Sequence, residues 1–180
     1  VHATGTMTDN LACNSSGYRD RTALSATMLS GSTYTVSITF GGGSSSYSDY
    51  SQWWIDFNSN GTFESTETVG YNSTAFNTGT VTLTIPSTVA NGTYRMRAVC
   101  DYNSSGHVPP SMNPCMTGYT YGEGRDYTVI IQNPPPTIST TPGTLAFGSV
   151  LVGSSSTAMY TIVNGQYLSS TSVNLTVTAP

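Results

Sequence analysis

Oxygen-bearing side chains recur at alternate positions in the stretch DFNSNGTFESTE. Asp56, Asn58, Asn60, Gly61 and Glu67 fall at positions 1, 3, 5, 6 and 12 of the calcium-loop pattern D-x-[DN]-x-[DN]-G-x5-E. A hard cation such as Ca²⁺ takes about six to eight oxygens, and oxygens alternating along a tight turn converge on one point. The candidate ligands are therefore Asp56, Asn58, Asn60, Glu67 and the carbonyl of Thr62, with Gly61 allowing the bend. Of these, Asp56 and Glu67 bring charge, with Glu64 a further candidate source, and the two neutral amides predict a weak affinity, on the order of 10⁻⁴–10⁻³ M. The preceding residues QWWI are strand-like, which excludes an EF-hand with its flanking helices. The competing reading is an Asx-rich turn that needs no ion.

Other chemistry is sparse. His107 is followed by VPP in a loop, and no Ser, Cys or Asp pattern marks it as a catalytic base. The acid pair Glu64/Glu67 belongs to the calcium-like stretch, and the spacing of Glu123/Asp126 does not by itself give the geometry of a glycosidase. The run GGGSSS lacks the Gly-Lys-Ser/Thr of a phosphate loop. The expectation is a protein that is not an enzyme. The adjacent Trp53 and Trp54 alternate across a strand, so one should be core and one exposed. The exposed ring, with Tyr47, Tyr50 or Tyr71, could stack on a sugar.

Cys13, Cys100 and Cys115 allow one internal disulfide. Cys100–Cys115 would close the loop DYNSSGHVPPSMNP, and Cys13–Cys115 is the rival pair. No C-x-x-C spacing suggests zinc. Acceptor patterns for N-glycans start at Asn14, Asn60, Asn72, Asn91, Asn103 and Asn174. Asn60 lies in the candidate metal loop, which leaves Asn14, Asn72, Asn91, Asn103 and Asn174 as candidate acceptors.

The chain has no lysine, and its 5 arginines face 9 acids, for a net charge of −4. That balance argues against nucleic acid and anionic membrane surfaces as partners. No apolar run approaches the roughly 20 residues that span a bilayer as a helix. Charged residues make up only 8% of the chain, aromatics 11%. Ser, Thr, Asn and Gly supply the polarity. An ordered, strand-rich protein outside the cytoplasm, extracellular or on a cell surface, fits this balance.

The elements that must position these residues are strands. TYTVSITF puts Tyr34, Val36, Ile38 and Phe40 on one face, the period-2 signature of a half-buried strand. GTVTLTIP does the same with Val81, Leu83 and Ile85, and RDYTVIIQ with Tyr127, Val129 and Ile131. TALSATML, SQWWIDF and NGTYRMRAVCDY complete the set. Short strands between Gly/Asn turns predict an all-β sandwich over residues 1–132. NPPPT, residues 133–137, reads as a stiff linker because proline cannot join a ladder. Residues 138–180 hold further strand-like runs, ending with Val173, Leu175 and Val177 in alternation.

In order along the chain stand CNSSGYRDRTA, GSTYTVSITF, WIDFNSNGTFESTE, IPSTVANGTYRMRAV, PC and YGEGRDYTV. Together they resemble the GEVED domain of bacterial secreted and surface proteins. The signature departs at Gly124 and Arg125 and keeps Glu123 and Asp126. The resemblance implies a β-sandwich and a non-catalytic role. Residues 138–180 are similar to the opening of immunoglobulin-like modules, through Leu145, Phe147, Gly148, Val150, Val152 and Gly153. They are too few for a complete module of about 100 residues.

A partial module leaves backbone groups that another chain's strand can pair. A head-to-tail contact of that kind propagates. The expected function is a structural subunit of a filament built by strand complementation between copies, with Val173, Leu175 and Val177 at the junction. The alternative is a calcium-stabilised binding or adhesion module of a larger secreted protein, with glycans as the candidate ligand.

Overall fold

The computed structural model describes residues 7–12, 16–40, 47–116, 119–134, 138–141, 148–157 and 161–164. The chain divides into two compact units between Asn133 and Pro134. The first is a β-sandwich. Its strands are β1 (Tyr18–Leu29), β2 (Thr33–Thr39), β3 (Asp49–Ile55), β4 (Thr68–Tyr71), β5 (Thr78–Thr84), β6 (Gly92–Tyr102) and β7 (Glu123–Gln132). One layer is a five-stranded mixed sheet in the order β1-β7-β6-β3-β4, and the other is the pair β2-β5. β1 runs parallel to β7, while the remaining neighbours are antiparallel.

The alternation seen in the sequence explains the core. Val81, Leu83 and Ile85 from the small layer meet Trp53, Ile55, Met96, Tyr127, Val129 and Ile131 from the large one. Residues of opposite parity face the other way. Trp54 and Val99 turn to the outer face of the large sheet, where Met112 covers them, with Tyr50, Phe63, Met116 and Tyr119 around them. The long connection from β6 to β7 thus acts as a third layer over that face. Both tryptophans are consequently buried, Trp53 6% and Trp54 1% exposed. The expectation of one exposed tryptophan is corrected: a loop rich in Gly, Pro and Ser supplies the missing cover.

Among the described residues, the two layers approach backbone to backbone where β4 meets β5. At Gly70, in β4, an added Cβ would lie 2.3 Å from the carbonyl oxygen of Thr82, in β5. Glycine is required there because the backbones touch. β1 and β2 are joined through a turn at residues 30–32, where Ser32 N–H donates to Leu29 O and Gly31 N–H to Ile85 O.

The second unit shows an antiparallel pair, β8 (Ile138–Thr141) with β9 (Thr161–Asn164). Between them Val150, Leu151 and Val152 are 45%, 81% and 106% exposed.

Candidate functional site

The 56–67 loop leaves β3 and returns to β4 through a short 3-10 turn at Ser65–Glu67. Asp56 is buried; its Oδ1 accepts from Asn60 N–H at 3.1 Å and its Oδ2 from Gly61 N–H at 3.0 Å. Gly61 has φ of 82°, the left-handed geometry expected of a sharp turn. Asn58 Oδ1 accepts from Asn60 N–H at 3.0 Å, and Asn60 Oδ1 from Thr62 N–H at 2.8 Å. Glu67 is buried, and its carboxylate accepts from Phe57 N–H at 2.9 Å and Glu64 N–H at 3.1 Å. The structure thus brings all five expected residues together.

It also adds Glu64, which the calcium pattern does not name. Glu64 Oε1 lies 2.7 Å from both Asn60 Nδ2 and Thr62 Oγ1, and Oε2 lies 3.4 Å from Asn58 Nδ2. Hydrogen bonds from Asn60 and Thr62 lower its pKa to about 2. Burial pushes Glu67 the other way. The loop as folded satisfies its own carboxylates and amides, the behaviour of an Asx-rich turn. Among the described residues, no group of three or more His, Cys, Asp or Glu side chains is arranged to hold a metal ion.

Carboxylates elsewhere are satisfied by side chains that no sequence pattern pairs with them. Asp126, fully buried on the outer face, receives Arg97 Nε at 2.6 Å and Nη2 at 2.8 Å, and Tyr18 Oη at 3.1 Å. That guanidinium also lies over the Phe63 and Tyr18 rings. Asp101, also fully buried, contacts His107 Nδ1 at 2.5 Å, and the imidazole stacks on Tyr119 at 3.9 Å. At one end of the core Asp9 Oδ2 gathers Arg21 Nε, Arg125 Nη1 and Tyr127 Oη within 3.2 Å. Burial alone would raise the Asp9 pKa; Leu11 N–H, Arg21, Arg125 and Tyr127 overcome it and lower it. Arg125, the departure from the GEVED signature, binds Glu123 in the same cluster at 2.5 Å.

Cys100 and Cys115 are not bonded to each other. Met96 and Ala98 of β6 pack into the core, so Cys100 shares that inner face by alternation. Its Sγ contacts Glu123 O at 3.6 Å. Cys115 is exposed and lines a cleft of about 270 Å³ with Arg97, Tyr18 and Met116, on the outer face. By alternation along β6, Cys100 and Arg97, which lies beside Cys115, face opposite sides of the large sheet. Asn72 is corrected as a glycan acceptor: it is buried, and its Nδ2 donates to Asp49 O and Thr74 O, both at 3.0 Å. Asn91 and Asn103 are exposed. Cys13, Asn14, Val173, Asn174, Leu175 and Val177 lie outside the described residues.

Two surfaces remain. Tyr47, Tyr102 and Tyr121 form an edge-to-face series, with centroids 5.5 and 6.2 Å apart. Tyr47 is 50% and Tyr121 74% exposed. Tyr71, 42% exposed, takes no part in it, and Tyr50 packs under the outer loop. The other surface is the side of the sandwich away from β4. In β5 the inward Val81 and Leu83 are no more than 1% exposed. In β2 the equivalent Tyr34, Val36 and Ile38 are only partly buried. Among the described residues no strand pairs with the far edge of β2.

None of the curated proteins matches the chain. Residues 50–130, from β3 almost to the end of β7, match the family model described as GEVED domain, and the chain carries a GEVED domain there.

Proposed function

We propose that this protein is a structural, non-catalytic subunit of an extracellular or cell-surface filament, joined copy to copy by β-strand addition. The observation that carries this reading is the uneven cover of the small layer among the described residues. β4 meets the backbone of β5, whereas β2 keeps apolar residues half-covered beside an edge with no strand partner among the described residues. Another chain's strand would complete the small layer and bury those residues. The exposed Val150, Leu151 and Val152 add a second apolar surface suited to cover by a neighbour. In this reading residues 138–180, immunoglobulin-like in sequence, lend strands to the next copy. The test is Leu175→Asp in the full chain, followed by sedimentation. The expected result is loss of polymer with the subunit still folded. Unchanged polymer would overturn the role of the 173–177 stretch as donor.

The Tyr47, Tyr102 and Tyr121 series favours a second reading, a binding or adhesion module for carbohydrate. Stacking on sugar rings would be its chemistry, with the exposed Tyr121 as the main contact. The 56–67 loop would then take Ca²⁺ through Asp56, Asn58, Asn60, Thr62 and Glu67 once Asn60 and Thr62 release Glu64. Retardation on polysaccharide-containing gels that Tyr121→Ala abolishes would support it. Equal mobility with and without mannan, xylan and laminarin would count against it.

A further inference from the structure

The sandwich has several strand edges, and their chemistry differs. β1 carries Arg19, Asp20 and Arg21, and its register with β7 breaks between Asp20 and Ser25. Charges and irregularities of this kind protect an edge from further pairing. β4 is four residues long and lies against β5 at Gly70. β2 has none of these defences. It is seven residues, TYTVSIT, paired with β5 without a shift, and it holds no charge and no proline.

The hydrogen bonds fix which backbone groups face outward. Phe40 N–H donates to Asn77 O at 2.9 Å, in the same register as the β2–β5 ladder. Even-numbered residues of β2 therefore pair with β5. By alternation Thr33, Thr35, Ser37 and Thr39 present N–H and C=O to the free edge. The same parity directs Thr82, opposite Thr35, away from β2, which agrees with its carbonyl meeting Gly70. On the inner face the added strand would find Tyr34, Val36 and Ile38 partly uncovered.

We propose that the free edge of β2 is the acceptor for a strand from a second copy of this chain, and that residues 171–178 are that strand. The inference rests on the filament reading and names its contact. The segment TSVNLTVT has the composition of β2 itself: apolar residues at alternate positions with Thr, Ser or Asn between, and no charge. Placed beside β2 with the same pleat, Val173, Leu175 and Val177 continue the inner row of Tyr34, Val36 and Ile38. Leu175 falls beside Val36 whether the strand runs parallel or antiparallel. The outward row becomes Thr and Ser beside Thr and Asn, which suits a wet face.

Ser37→Pro tests this contact selectively. Ser37 is exposed, and its N–H faces the free edge and not β5. Proline there removes one outward donor and obstructs an incoming strand, while an edge strand tolerates proline at such a position. The expected result is a variant with wild-type circular dichroism that sediments as single subunits where the wild type forms polymer. A second test stands independently should Ser37→Pro misfold. Ser37→Cys with Asn174→Cys should cross-link copies in an antiparallel junction, and Ser37→Cys with Thr176→Cys in a parallel one, each identified by peptide mass. A folded Ser37→Pro that polymerises, or polymers lacking both cross-links, would place the acceptor elsewhere and leave the filament reading standing. A wild type that sediments as a monomer overturns the filament reading itself, and a two-fold dimer linked β2 to β2 overturns the donor assignment.

Discussion

Gly70→Ala probes the contact of β4 with β5, where the two layers approach backbone to backbone. The new Cβ would stand 2.3 Å from Thr82 O and 2.9 Å from Leu83 Cδ2, against ordinary contacts of 3.4–4 Å. The nearer atom is backbone, so no side-chain rotation relieves it. β4 must move from β5 by about 1 Å, which loosens the contact over Val69 and Leu83, 5% and 0% exposed. Overpacking of this kind costs about 1–3 kcal/mol. Restricting the unfolded chain by replacing glycine returns about 0.4–1 kcal/mol. The net destabilisation is about 1–2 kcal/mol. At this domain size that corresponds to a fall in Tm of roughly 3–10 °C. The assay is thermal unfolding followed by near-UV circular dichroism, which reports Trp53 stacked on Tyr127 at 6.4 Å. A Tm at or above wild type would refute the close approach of β4 to β5.

Arg97→Met should cost about 3–5 kcal/mol in urea unfolding, because it strips the bidentate partner from a fully buried Asp126; a loss below 1 kcal/mol would contradict that pairing. The lowered pKa of Asp9 makes its contribution complete above the ordinary value of 3.8 and lost as pH falls through the lower folded value. Asp9→Asn should therefore flatten the acid limb of the stability curve below about pH 4, and an unchanged limb would refute the cluster. Asp56→Ala removes the acceptor of two backbone N–H groups and should cost about 1–3 kcal/mol with or without metal. If the loop takes calcium, chelator lowers the Tm of wild type and not of Asp56→Ala; equal Tm with chelator and with millimolar Ca²⁺ would leave the loop a self-capped turn.

Alternation made β2, β5 and β7 legible in the sequence, because each has one buried face. β3 was legible as a strand but not in its surroundings. Met112, Met116 and Tyr119 were the signal that the outer face is covered, and they are scattered in a loop whose Gly, Pro and Ser content conceals it. β4 is four residues around a glycine and carries no period. The parallel pairing of β1 with β7 joins strands about a hundred residues apart, and no local pattern encodes it. The 56–67 loop was readable residue by residue from its spacing, whereas the part Glu64 plays shows only in its hydrogen bonds from Asn58, Asn60 and Thr62. Asp101, Asp126 and Gln52 are buried polar residues on the large sheet, and hydrophobic patterning is blind to them. The departure at Arg125 makes sense only in space, where Asp9 and Glu123 meet it.

Strand-linked assembly is most directly tested by negative-stain electron microscopy of the native protein, taken from its source without denaturation. Strand addition between copies predicts long fibres of uniform width with a regular axial repeat of one subunit. A field of single compact particles would contradict it.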